Sequence, residues 1–157
     1  MKINKKFEPI ISGVSAAVTI SVLAFLTEKG FVSVWLMFSF GATVFIVFVL
    51  HKSEAAQPKN VFFGHLISII IGVTINEIVG FSFFSMGIAV GLSIILMIYC
   101  KVIHPPAASN PLIAIFSDVS FEYIFFPVIF GSLLIILFSI LINKILLKRK
   151  YPNRKIF

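Results

Sequence analysis

The chain has 157 residues, of which 59% are hydrophobic and only 12% charged, with 19 phenylalanines and a formal net charge of +7. That much apolar surface cannot be hidden inside a soluble domain of this size, so residues 1–157 read as a single transmembrane domain with no soluble domain. The basic residues sit at the termini and in short loops, where positive-inside topology accounts for them, and nucleic acid is not expected as a partner. Cys100 stands alone in an apolar run and reads as a packing residue rather than half of a disulfide or a thiolate metal ligand.

Lys2, Lys5 and Lys6 precede a first apolar run over residues 9–26. It is longer than a signal-peptide core of about 7–15 residues and no small-x-small cleavage site follows, so it is expected to remain as the first span. Glu28, Lys29 and Gly30 mark a tight exit, and residues 31–50 form a second run, each run about 30 Å long as a helix. The polar connection 51–60 breaks at Pro58, which suits the first turn of a helix, so the third span, over residues 61–79, is expected to start there. An uncharged turn over residues 80–87 leads into a fourth span with its core at 86–100.

Residues 101–118 are different. They are apolar enough for membrane depth yet contain Pro105, Pro106 and Pro111. Proline lacks an N–H and clashes with the preceding turn, so a plain helix cannot run through all three. A broken backbone in hydrocarbon is tolerated only where protein, water or solute supplies the lost partners, which makes this stretch the favoured solute site. Asp118 and Glu122 follow, then a last apolar run over 123–142 and a basic tail over 144–155.

The charges arbitrate the topology. If the proline segment crosses, the 13 Lys and Arg residues except Lys29 fall on one face; if it only dips in and returns, Lys144, Lys148, Arg149, Lys150, Arg154 and Lys155 end outside. The expected fold is therefore an all-α bundle of about six crossings with a broken fifth helix and both termini cytoplasmic, the alternative being five spans plus a re-entrant segment. Trp35 and Tyr123 then fall near outer ends and Tyr99 and Tyr151 near the inner boundary. Small residues in the first, second and fourth spans, among them Ser12, Gly13, Ala16, Gly41, Thr43 and Gly91, allow close helix approach.

Three polar groups are candidates for chemistry. Lys59 and Asn60, with His65 one turn on, would present charge and a helix N-terminus to a cytoplasmic vestibule; the bland alternative is a topology anchor. His104, Pro105, Pro106, Ser109 and Asn110 surround the break. Asn110 before Pro111 is expected to cap a half-helix whose N-terminus favours an anion, against a cap with no solute; His104 is read as a ligand, the alternative being a structural cap on the end of the fourth span. Asn76 and Glu77 lie near the outer end of the third span, Glu77 close enough to snorkel, so a structural or interfacial role is expected, the alternative being a proton relay.

His104-Pro105-Pro106-Ala107 resembles the signature of the HPP family of small integral membrane proteins. Phe40-Gly41-Ala42-Thr43, Ala56-Gln57-Pro58-Lys59-Asn60, Gly64-His65 and the closing Lys148-Arg149-Lys150-Tyr151-Pro152 follow in the order that family shows. The resemblance implies a transporter, since characterised relatives in plastids and cyanobacteria move nitrite, and the family is usually described with four spans. Lys59 stands where the family usually has Arg, Phe63 where it often has Gly, and residues 108–111 replace a more usual Gly-Ala-Thr run.

The leading expectation is a carrier or channel for a small anion such as nitrite, in the lipid bilayer of a bacterial inner or plasma membrane, with Lys59, Asn60, His65, His104, Pro105, Pro106, Ser109 and Asn110 as the binding set. The alternative is a membrane scaffold or regulatory subunit; assembly into a homo-oligomer is left open. No paired carboxylates, nucleophile-base pair or metal-ligand spacing occurs, so neither catalysis nor a cofactor or metal is expected.

Overall fold

A computed structural model describes residues 5–30 and 34–153 of the chain. Lys2, Arg154 and Lys155, which enter the charge balance, lie outside the described residues. Within them the fold is all-helical. Six α-helices run in chain order: α1 Glu8–Glu28, α2 Ser39–Val49, α3 Pro58–Val79, α4 Phe83–Tyr99, α5 Asn110–Phe116 and α6 Phe130–Leu141.

Helix α1 begins at a proline-bearing first turn and buries Ser12, Ser15, Thr19 and Leu23, one stripe at helical spacing. Two of these hydroxyls donate back to their own helix, Ser15 to Ile11 O at 2.7 Å and Thr19 to Ser15 O at 2.8 Å, so small side chains face α2 without orphan polar groups. Ile10, Val14, Val18 and Phe25 are left exposed on the other side, the arrangement expected against lipid.

The second apolar run is only partly helical. Its helix starts at Ser39, because the backbone N–H groups of Trp35 and Leu36 donate to Thr27 Oγ1 at 2.9 and 3.1 Å and hold an extended stretch over the end of α1. That stretch lies against α6: a methyl group at Gly131 would come within 2.8 Å of Trp35 O. The resulting α2 has 11 residues and spans only about 16 Å.

Helix α3 starts at Pro58 as expected and forms the centre of the bundle. The uncharged turn shrinks to residues 80–82, because Ser82 and Ser85 form a reciprocal capping box that starts α4 at Phe83. The chain breaks after α4, at Lys101 (φ 55°), rather than between Pro106 and Pro111. Residues Pro105–Ser109 wind as a 3-10 turn that leads directly into α5. The prolines occupy opening positions of these two turns, where no intrahelical N–H is required.

The segment from 103 to 118 runs alongside α3 in the same direction. Asn60 Nδ2 donates to Ile103 O at 3.0 Å, and Asn76 Nδ2 donates to Asp118 Oδ1 at 2.8 Å. Between these ends Gly64 and Gly72 admit it closely: added methyl groups would meet His104 Cβ and Pro111 Cα, each at 2.7 Å. From residue 60 to 76 along α3 is about 24 Å.

The last apolar run is kinked. Residues Ile124–Ile129 form a wide π-type turn in which Phe126 is extended (φ −122°, ψ 121°), as the residue before Pro127 is pushed to be. Taken through this turn, Ile124–Leu146 is long and apolar enough to cross a membrane, as are Glu8–Glu28 and Pro58–Val79; Ser39–Val49 and Phe83–Tyr99 are shorter apolar helices. The tail folds back on the 51–57 connection. Tyr151, expected near the inner boundary, is buried and donates to Ala56 O at 2.6 Å, while Asn153 N donates to Gln57 Oε1 at 2.8 Å.

Candidate functional site

Three elements bring polar side chains to one buried place. Ser39 and Thr43 lie one turn apart on α2, His65 and Ser68 share a face of α3, and His104 and Asn110 flank the 3-10 turn. Thr43, His65, Ser68, His104 and Asn110 are fully buried and Ser39 nearly so. Phe40 closes one side with its ring edge-on to His65, centroids 5.2 Å apart, and the two imidazoles are 4.9 Å apart.

The bond partners dictate the direction of each hydrogen bond. His104 Nδ1 lies 2.7 Å from Ala55 O, which can only accept, so Nδ1 carries the proton. Asn110 Nδ2 donates to His65 Nδ1 at 3.0 Å and to Ser68 Oγ at 2.8 Å, which places the proton of neutral His65 on Nε2. That Nε2–H donates to Thr43 Oγ1 at 2.8 Å, and Thr43 O–H in turn donates to His104 Nε2 at 3.0 Å. Ser39 Oγ completes the set by donating to Asn110 Oδ1 at 2.8 Å. With both imidazoles neutral, one directed chain runs from Asn110 through His65, Thr43 and His104 to Ala55, with each polar atom paired. Satisfied in this way, a buried polar cluster rigidifies its surroundings; broken, it is costly.

Of the residues expected to bind solute, the fold gathers His65, His104 and Asn110. Pro105 and Pro106 form the turn that returns Asn110 to the histidines. Ser109 stays outside the cluster, its hydroxyl donating back to Pro106 O at 2.8 Å. Lys59 is exposed and lines a shallow hollow with Phe63, Cys100 and Val102, and Asn60 is spent on Ile103 O.

The expected cap is corrected, and the alternative role of His104 is excluded. Ser109, not Asn110, occupies the cap position of α5, with no side-chain cap bond, and Asn110 turns inward. The 3-10 turn supplies the reason: its own tight bonds, Ala107 N to His104 O at 3.0 Å and Asn110 N to Ala107 O, leave the new helix with less need of a cap. His104 does not cap α4 either; its ring reaches across to the 51–57 connection.

Sequence reasoning missed Ser39, Thr43 and Ser68. Spacing could have found them: Ser39 and Thr43 sit four apart on an apolar helix, and Ser68 sits three beyond His65.

The profile of the HPP transmembrane region matches residues 2–152. The chain belongs to the HPP transmembrane family. Two transmembrane proteins of Dictyostelium discoideum are similar to it, one 35% identical over 152 residues, covering 90% of this chain and 49% of the relative. The other is 33% identical over 122 residues, covering 73% of this chain and 43% of the relative. The chain thus spans about half the length or less of the curated relatives it matches. No solved structure matches it. In this HPP protein, an integral membrane protein, the tripeptide His104-Pro105-Pro106 has two physical tasks: the histidine enters the buried chain, and the prolines wind the turn that brings Asn110 back to it.

Proposed function

We propose that this HPP protein moves a small anion across the membrane, nitrite being the substrate the family resemblance implies, and that the solute is held at His65, Thr43, His104 and Asn110. The observation that carries this reading is a cluster of two imidazoles, a carboxamide and three hydroxyls, buried beside a break in the chain. Polar groups at membrane depth are costly and mark solute pathways. The cluster contains no carboxylate to repel an anion, and its N–H and O–H groups can turn from one another to a solute when the segment moves off α3. Six crossings, the fifth formed by the 3-10 turn and α5 behind the break at Lys101, and both termini cytoplasmic, fit the parallel run of residues 103–118 along α3 and the return of the tail to the 51–57 connection.

A second reading, a scaffold with no transport, draws on the same network: its groups are already paired, as in polar contacts that glue helices together. Initial uptake of nitrite, nitrate, formate and chloride into sealed vesicles separates the two. Transport predicts uptake above protein-free vesicles for at least one anion and its loss in His104→Gln. A scaffold predicts no uptake for any of the four.

A further inference from the structure

We propose that the network binds one proton together with each anion, on Nε2 of His104, so that transport is electroneutral anion–proton symport. This deepens the transport reading and rests on it.

Thr43 is the pivot of the network. Its single hydroxyl lies within bonding distance of three groups: His65 Nε2 at 2.8 Å, His104 Nε2 at 3.0 Å and Ser39 O at 3.1 Å. A hydroxyl has one proton to donate and two lone pairs to accept with. With both histidines neutral, the proton points at His104 Nε2 and Ser39 O is passed over. If His104 Nε2 gains a proton, the Thr43 O–H swings to Ser39 O and its oxygen accepts from both imidazoles. The extra proton therefore costs the network no hydrogen bond, only the rotation of one hydroxyl.

His65 offers no such place. Its Nδ1 faces the donating amide of Asn110, so a proton there would set two donors head to head. The amide cannot turn over to help, because the backbone carbonyl of His65, which can only accept, lies 3.2 Å from Nδ2 and would then face Oδ1. One proton fits, and it fits on His104.

Among the described residues, no charged side chain is buried with the cluster to balance that proton. The side chains that bond to or stack on the two rings, Phe40, Thr43, Asn110 and the imidazoles themselves, carry no charge, and His104 Nδ1 meets only the carbonyl of Ala55. The neighbouring charged side chains, Glu54 beside Ala55, Lys59 on α3 and Lys101 ahead of His104, are exposed. A buried imidazolium without a counter-charge is strongly disfavoured, and so is an unpaired anion among the same buried groups. Together they form a neutral pair, and by linkage each raises the affinity for the other by the same factor. The proton comes from hydronium on the side to which the site opens and leaves to water on the other; an O–H bond of hydronium breaks as the N–H bond forms, and release reverses the exchange.

The test uses proteoliposomes and initial rates of nitrite uptake, with the leak into protein-free vesicles subtracted. One arm imposes an acid-outside pH gradient with the potential clamped at zero; the other imposes an inside-positive potential without a pH gradient. The expected result is uptake stimulated by the pH gradient and unchanged by the potential. Thr43→Val should abolish the stimulation, because no hydroxyl is left to turn, and Thr43→Ser should restore it. Uptake that follows the potential and ignores the pH gradient would overturn symport while leaving the transport reading standing. No uptake in either arm would overturn the transport reading itself. A binding measurement avoids dependence on the variants: nitrite added to the detergent-solubilised protein in weak buffer should draw in about one proton per bound anion, and zero protons overturns the proposal.

Discussion

Asn110 Nδ2 lies 3.0 Å from Nδ1 of His65, a contact between residues 45 positions apart in the chain that joins the segment after the break to the central helix. The same amide engages Ser68 and accepts from Ser39, so Asn110 ties α5 to both α2 and α3. Asn110→Ala leaves those partners buried and unsatisfied, at a cost of about 1–3 kcal/mol. A lower unfolding temperature in detergent is expected. An unchanged one would mean that water or a neighbouring group replaces the amide.

Gly72 and Gly13 form a matched pair. A methyl group at Gly72 would lie 2.7 Å from Pro111 Cα and 2.9 Å from Ala114 Cβ, whereas at Gly13 nothing lies within 4 Å. Gly72→Ala should push residues 105–116 off α3 and destabilise by about 1–3 kcal/mol. Gly13→Ala, in open space on α1, should be neutral or stabilising by up to about 1 kcal/mol. Thermal unfolding of the two variants side by side checks the assignment of Gly72 as a close-approach position.

The broad outline was legible in the sequence because hydropathy and charge act locally. The run to Glu28, the start of α3 at Pro58 and the disturbance around Pro105 and Pro106 could be read from adjacent residues. What could not be read depends on distant partners. Thr27 captures the N–H groups of Trp35 and Leu36 and shortens α2, and nothing between residues 31 and 50 announces it. Asn110 looked like a cap because Asn before Pro favours one; three partners on α2 and α3 outcompete that local preference. His65 and His104 were marked as polar residues in apolar surroundings, but Thr43, which joins them, resembles any small residue on a packed helix.

Arg149 was counted only as a tail charge, yet it is a clamp. Its guanidinium pairs with Glu8 and donates to Phe48 O at 2.7 Å and Asn143 Oδ1 at 2.9 Å, joining the tail to α1 and α2. Lysine keeps the charge but cannot reproduce the planar fork. Arg149→Lys is expected to lose about 1.5–3 kcal/mol of stability, measured by thermal unfolding, and a stability equal to wild type would reduce the arginine to a topology signal.

His51 supplies a pH dependence outside the spans. Burial first, then the positive charges of Arg149 and Lys52, lower its pKa below the ordinary 6.5, with Glu8 opposing. The unfolded chain then binds the proton more readily than the folded one. The stability contributed by neutral His51 is therefore full above about pH 6.5 and declines as pH falls through that value toward the lower folded pKa. His51→Asn should show a smaller drop in unfolding temperature between about pH 7 and pH 5 than wild type.

The most direct test of the proposed solute site is the nitrogen NMR spectrum of isotope-labelled histidine in the purified protein, recorded with and without nitrite, with the three histidines assigned by single substitution. The proposed site predicts that nitrite moves the ring signals of His65 and His104 together and leaves His51 unchanged. Signals of His65 and His104 that stay fixed at nitrite concentrations saturating uptake would contradict it and place the solute elsewhere in the fold.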